Sequence, residues 1–120
     1  MAMKYYFICI TDAMFLVMER LGVTRHEIAV QKRCFAVVSE DSTWYQEILE
    51  GEEIIFTTAV ERIGDKTATF QHRIVRVNDD VVSFANRFTV ALMDLENRRA
   101  IAIPEDFRRV LENEYPAYTD

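Results

Sequence analysis

Five consecutive polar residues, 39–43, interrupt an apolar part of the sequence, and two of them are carboxylates. Glu40, Asp41 and Ser42 are the central three, between the apolar residues that begin at Cys34 and those that resume at Trp44. A carboxylate in such a position can act as a general base that activates a water molecule for hydrolysis. A solvated turn at the rim of a sheet would have the same composition. The triplet therefore predicts either a catalytic pair, Glu40 and Asp41, or a polar bulge.

Other groups that could do chemistry are scattered along the chain. Asp12 and Glu19 lie seven residues apart, so they share one face of a helix. One of them could be a catalytic acid. Alternatively, both face the solvent-exposed edge of the helix or pair with an arginine. Neither His26 nor His72 has a Cys or His partner at ligand spacing, so we expect no metal site, and we expect His72 to be an exposed strand residue. No serine lies in a Gly-x-Ser-x-Gly sequence, which argues against an α/β-hydrolase nucleophile.

Two cysteines, Cys9 and Cys34, are too far apart in the sequence to form a metal-binding or redox motif. Neither belongs to a Cys-x-x-Cys or Cys-x-His pair. One disulfide between them is possible. Both lie within apolar runs, however, so we expect buried thiols.

Size and charge exclude several classes of protein. The 120 residues match one domain. Acidic residues outnumber basic ones by 20 to 14, and the net charge of -6 argues against a nucleic-acid-binding protein, which needs a basic surface. Residues 5–18 are strongly apolar, but Asp12 interrupts a run already shorter than the roughly 20 residues that span a membrane. No signal-peptide cleavage site follows. We therefore expect a cytoplasmic protein that binds neither nucleic acid nor a membrane.

The hydrophobic pattern indicates a long helix followed by a sheet. Residues 3–21 are apolar nearly all round, which predicts a helix buried on most sides and ended by Gly22. Thr24 and Glu27 form a capping-box pair for a short helical turn over 24–29. Four strands are predicted at about 33–48, 52–63, 66–77 and 81–95, as an antiparallel meander with turns at 63–66 and 78–80. Pro104 opens a short helix over 105–113, and we expect a frayed tail at 115–120. The order is typical of an α+β fold.

Four segments, in order, carry a family resemblance. They are the aromatic and acidic start of the first helix (3–14), an acid–tyrosine–glycine run (37–52), a hairpin (64–70) and the run with Asp94, Arg98-Arg99 and Ile103-Pro104. Together they resemble the hotdog-fold acyl-CoA thioesterases of the 4-hydroxybenzoyl-CoA thioesterase-like group. The resemblance implies a single domain over 1–120, with a long central helix wrapped by an antiparallel sheet of at least four strands.

The resemblance also implies an activity and a set of site residues. Such enzymes hydrolyse acyl-CoA to free acid and CoA at a dimer interface without a cofactor, and they form homodimers or dimers of dimers. The backbone amide of Met3, at the start of the helix, would polarise the thioester carbonyl. Tyr5 and Tyr6 would line the acyl pocket, and Arg98 and Arg99 would bind CoA phosphates.

One segment that is usual in members of this family has no counterpart in this sequence. Family members usually begin with a strand and an Asp-x-x-Gly-His-x-Asn type segment, which would run into this chain at Met1 to Met3. We therefore expect an N-terminally shortened domain, in which Glu40 and Asp41 are the remaining candidates for the base. The alternative is a non-catalytic acyl- or CoA-binding module, or an assembly subunit. A dehydratase-type hotdog protein is disfavoured, because its usual histidine and acid on the helix are not seen.

Overall fold

The computed structural model describes the backbone of residues 3–46, 48–49 and 51–118 and, among these, the side chains from residue 9 onwards. Three helices and five strands follow one another along the described residues. The helices are α1 (Met3–Arg20), α2 (Arg25–Gln31) and α3 (Glu105–Glu114), and the strands are β1 (Arg33–Trp44), β2 (Ile54–Ile63), β3 (Thr67–Arg76), β4 (Val81–Asp94) and β5 (Arg99–Ala100).

Helix α1 confirms the predicted long helix. Gly22 follows it with a φ of 76°, a left-handed conformation that glycine adopts without strain. Ile10, Met14 and Val17 on its inward face are buried, as is Leu21 directly after its end. Phe15 and Leu16, on the other side, are 67% and 60% exposed. In this chain α1 is therefore buried along one face, whereas the sequence predicted burial on most sides.

Helix α2 begins at the predicted cap. The Thr24 hydroxyl accepts a hydrogen bond from the Glu27 backbone N–H at 3.4 Å, which satisfies one of the free amides of the first turn. The helix ends at Lys32, whose φ of 55° is left-handed. The short helix thus leads the chain directly into β1.

The sheet is antiparallel, and its strand order corrects one prediction. The order is β1-β4-β3-β2, and β5 pairs with the end of β4. The meander therefore holds only for β2, β3 and β4, because β1 pairs with β4 instead of β2. Residues 45–53 are long enough to make this crossing, since nine extended residues span about 30 Å and three strand spacings measure about 14 Å. Strands β1 and β2 consequently form the two edges.

The core lies on one face of the sheet. Phe70, His72 and Ile74 of β3 are at most 1% exposed, and Phe70 and Ile74 pack in one cluster with side chains of α1 and α3. We call this face the helix face and the opposite face the outer face. The prediction that His72 is exposed is wrong, because the two-residue period of β3 places it in phase with two buried apolar neighbours.

A β-bulge in β1 decides which of its side chains face the core. The pairing with β4 shifts between Val37 and Ser39, so Val38 is an extra residue. Phe35 packs on the helix face before the bulge, with its ring 6.1 Å from that of Phe107 in α3. After the bulge it is the even-numbered residues of β1 that lie on the helix face, as the 5.2 Å contact between the rings of Trp44 and the buried Phe84 shows.

The C-terminal tail packs against the sheet as far as Tyr118. The backbone N–H of Val60 donates to the carbonyl of Tyr115 at 2.9 Å. The Tyr118 hydroxyl lies 2.6 Å from the Thr57 hydroxyl, and the Arg73 guanidinium lies 3.8 Å from the centre of the Tyr118 ring. The predicted fraying is therefore wrong for 115–118, while 119–120 lie outside the described residues.

The two thiols are unpaired, and no described helix could cross a membrane. Cys9 and Cys34 are half-buried and form no disulfide. Burial, together with the nearby Asp12 carboxylate, raises the pKa of the Cys9 thiol. Within the described residues, every helix is too short or too polar to span a bilayer.

Candidate active site

A row of four polar side chains crosses the helix face from one edge of the sheet to the other. Thr58 in β2 is paired in register with His72 in β3, His72 with Asn86 in β4, and Asn86 with Ser42 in β1. Residues opposite each other in neighbouring strands have side chains on the same face. The row therefore places a polar strip across a face that is otherwise apolar.

Asn86 joins this row to the Glu40 carboxylate. Its side chain is 2% exposed, and its Nδ2 donates to Glu40 Oε1 at 3.1 Å and to Ser42 Oγ at 2.8 Å. The Ser42 hydroxyl also donates to Glu40 Oε1, at 3.4 Å. A carboxylate only accepts hydrogen bonds, so the amide nitrogen must face β1. Asn86 Oδ1 is buried and has no hydrogen-bond partner among the described residues.

His72 lies fully buried beside Asn86. Its Nδ1 is 3.0 Å from the Thr58 hydroxyl, and its Nε2 is buried without a partner in the described part of the chain. The imidazole stacks on Phe56 with ring centres 5.6 Å apart and meets the edge of Phe88 at 6.2 Å. Burial lowers the pKa of His72 from its usual 6.5 to about 4, so the ring is neutral at pH 7.

An apolar groove adjoins the Ser42 end of the row, where Glu40 lies. It has a volume of about 710 Å³ and lies between α1, α2 and the strands β1 and β4. Its apolar walls include Met14, Phe15, Val37, Phe88 and Val90. Phe88 is the register partner of Glu40, so the groove reaches the level of the carboxylate. A groove of this size and lining suits an apolar ligand such as an acyl chain.

The outer face carries a different polar surface at the same level. Arg87 Nη2 and Gln71 Nε2 both bind Glu61 Oε1, at 2.7 Å and 3.1 Å. A shallow cavity of about 520 Å³ lies here, lined in part by Asp41, Arg73 and Arg87. Asp41, Glu61 and Arg87 are exposed and lie on the opposite side of the sheet from the groove.

The model of the thioesterase-like superfamily matches residues 1–111, which is nearly the whole chain. The chain belongs to this superfamily. None of the curated proteins matches this thioesterase-like chain significantly.

Solved structures share its fold. A Staphylococcus aureus hypothetical protein, determined in complex with CoA, has a TM-score of 0.83 at 18% identity, over 99% of this chain and 77% of the other. A predicted thioesterase from Bacillus stearothermophilus has a TM-score of 0.77 at 15% identity, over 96% and 83%. The gentisyl-coenzyme A thioesterase BH1999 has a TM-score of 0.71 at 16% identity, over 93% and 86%. The thioesterase-like chain thus has the hotdog fold that the resemblance implied.

The structure separates the two carboxylates that the sequence grouped together. Glu40 lies on the helix face, where it accepts the Asn86 amide. Asp41 lies on the outer face, in register with Arg87. Strand pleating sends neighbouring residues to opposite faces, and the bulge at Val38 determines which residue faces the core. The pair therefore does not form one cluster, although a catalytic role for either residue stays a prediction.

The two arginines predicted to bind phosphate lie far from Glu40. Arg98, with a φ of 55°, lies in the turn after β4, and Arg99 lies in β5 opposite Asp94. Both side chains are exposed. Glu40 is paired near the middle of β4, at Phe88, six residues from Asp94, which corresponds to about 20 Å along the strand. The structure therefore does not bring them to the same site within one chain.

The remaining predicted residues lie on α1. The helix begins at Met3, as the predicted role of that backbone amide requires, but the role itself stays a prediction. The side chains of Tyr5 and Tyr6 lie outside the described residues. Asp12 and Glu19 are exposed, which agrees with a wet edge of the helix.

Sequence reasoning did not identify the two buried polar residues at the centre of the site. Asn86 and His72 each occupy a position in phase with large apolar residues, Asn86 between Phe84 and Phe88 on one face of β4. A polar side chain in phase with buried apolar residues must find hydrogen-bond partners in the core, so it indicates a buried polar site. That signal was present in the sequence for both residues.

Proposed function

We propose that this protein hydrolyses acyl-CoA thioesters to a free acid and CoA. The observation that carries the proposal is the Glu40 carboxylate, held by Asn86 and Ser42 at the level where the apolar groove ends. Superfamily membership supports the reaction class. The complex of the Staphylococcus aureus neighbour with CoA supports CoA as the carrier of the acyl group.

In the proposed reaction Glu40 acts as the general base. The acyl chain lies in the groove, and the carboxylate takes a proton from a water molecule whose oxygen bonds to the thioester carbonyl carbon. The carbonyl oxygen becomes an oxyanion, which the free N–H groups at the start of α1, including that of Met3, would stabilise. The carbonyl bond then re-forms, the C–S bond breaks, and the thiolate takes the proton back from Glu40.

A thiol-release assay with a panel of acyl-CoA esters tests the function. The wild-type protein should cleave at least one ester above background, and Glu40→Gln should reduce the rate about a hundredfold, as expected for losing a positioned base. Asp41→Asn is the matched control, because it neutralises the neighbouring carboxylate on the other face. Binding of acyl-CoA without cleavage by the wild type would contradict hydrolysis and favour a non-catalytic binding module.

Assembly into a homodimer, or a dimer of dimers, is part of the proposal. Strand β1 lies at an edge of the sheet, and Val37 and Val38 in its middle are 60% and 61% exposed. Exposed apolar edges pair with other strands. Light scattering should therefore give at least twice the 14.1 kDa of one chain, whereas a concentration-independent mass of one chain would contradict the dimer. We also propose a cytoplasmic location, which the two free thiols support.

A further inference from the structure

Two buried polar atoms face the same gap between β3 and β4. Thr58 contacts Nδ1 of His72 from the β2 side, so Nε2, across the imidazole ring, faces the β4 side. The Asn86 Nδ2 group faces β1, so Oδ1 of the same planar amide faces the β3 side. His72 and Asn86 are register partners, yet neither atom has a hydrogen-bond partner among the described residues.

The chemistry of the two atoms is complementary to a single small polar molecule. Asn86 Oδ1 is an acceptor, because its Nδ2 is fixed by the Glu40 carboxylate. The Thr58 hydroxyl can donate to Nδ1 of the neutral imidazole, which leaves the hydrogen on Nε2. A water molecule can accept from Nε2–H and donate to Oδ1 at the same time, and buried waters typically bridge otherwise unpaired polar groups in this way.

We propose that one water molecule links His72 to Asn86, and that the resulting hydrogen-bond chain across β2, β3, β4 and β1 positions the Glu40 carboxylate. The inference rests on the proposed function, because it assigns His72 as a positioning residue for the same hydrolysis. The chain runs from Thr58 through His72, the water and Asn86 to Glu40.

The exposure of Glu40 explains why such a chain would matter. The Glu40 side chain lies on an edge strand and is exposed, so its described partners, Asn86 and Ser42, must hold it in place. Both hydrogen bonds of the Asn86 Nδ2 group are to residues of the edge strand β1. A third bond, to Oδ1 from the buried His72 side, would further restrain rotation of the amide about the Cβ–Cγ bond and hence the direction of its N–H groups. Small misplacements of a catalytic group cost large factors in rate.

Two variants of His72 test the positioning role. His72→Phe retains a ring between Phe56 and Phe88 but removes both nitrogens, and should lower kcat about tenfold to a hundredfold with KM changed less than about threefold. His72→Gln retains a polar terminal group near the position of Nε2, and should recover part of kcat. Phe70→Leu, a packing change on the same strand and face, is the matched control and should retain the wild-type kcat.

A crystal structure of the wild-type protein tests the water itself. It should show one water within hydrogen-bonding distance of both His72 Nε2 and Asn86 Oδ1. A direct bond between the two atoms, or a water there combined with an unchanged kcat in His72→Phe, would overturn the positioning role. If the wild type cleaves no acyl-CoA, the proposed function fails and the positioning role with it, while the crystal structure still decides whether the water site exists.

Discussion

The two faces of the sheet carry parallel rows of polar residues with opposite physical character. On the helix face, Ser42, Asn86 and His72 form an uncharged row, in which Ser42 is half-buried and the other two side chains are buried. One residue away along each strand, Asp41, Arg87 and Gln71 form the row of the outer face, where Arg87 pairs with the charge of Glu61. Bulk solvent can take the place of a lost partner on the outer face, but it cannot reach the buried side chains of His72 and Asn86 on the helix face. Substitutions at neighbouring residues of one strand should therefore have very different effects on stability and activity.

The largest contrast is expected at two adjacent residues of β4. Asn86→Asp would bury a second carboxylate against Glu40 Oε1, and should lower the free energy of unfolding at pH 7 by about 3 to 5 kcal/mol. Arg87→Gln, on the outer face, should cost no more than about 1 kcal/mol, because its ion pair with Glu61 is solvent-exposed. Urea denaturation of both variants measures the contrast. Equal losses would show that the two faces do not differ in this way.

A second prediction concerns the pH dependence of stability. Because the pKa of His72 is about 4 in the folded protein and near 6.5 in the unfolded chain, the unfolded state binds more protons between these values. Stability should therefore fall as the pH is lowered from 6.5 to 4, by about 3 kcal/mol from this residue alone.

Urea denaturation at several pH values between 4 and 7 isolates the contribution of His72. The variant His72→Gln should lose this part of the pH dependence. His26→Gln, at the other, exposed histidine, should retain it. The same slope in His72→Gln as in the wild type would show that the buried imidazole is not its source.

The smallest effect is expected where the C-terminal tail covers the outer face. Tyr118→Phe removes the 2.6 Å hydrogen bond to Thr57 but leaves the ring under Arg73, and should lower the free energy of unfolding by about 1 kcal/mol. Tyr45→Phe is the control, because that tyrosine is exposed. A loss in the thermal stability of Tyr118→Phe no larger than that of the control would mean that the tail does not contribute to folding.

The sequence predicted the elements well because their signals are local. The long helix, the Thr24 cap, the four long strands and the Pro104 start of α3 all follow from periodicity and capping residues within a few positions. The pairing of β1 with β4 was missed, because strand order depends on contacts between distant residues. The docking of Tyr118 was missed for the same reason, since its partner Thr57 lies sixty-one residues away.

The candidate site was predicted only in part, and one residue explains why. Glu40 and Asp41 were identified by residue type, but the face that each occupies depends on the bulge at Val38. Nothing in the sequence around Val38 marks that bulge, and without it the two carboxylates would exchange faces. His72 was taken as exposed because of its residue type, although its phase with Phe70 and Ile74 already indicated burial.

Parallel thiol-release assays of Glu40→Gln and Asp41→Asn test the central claim most directly, namely that the helix face carries the chemistry. The two substitutions make the same chemical change at adjacent residues on opposite faces. We predict a loss of about a hundredfold for Glu40→Gln and less than about threefold for Asp41→Asn, on whichever acyl-CoA the wild type cleaves fastest. Equal losses in the two variants, or a larger loss for Asp41→Asn, would contradict the account.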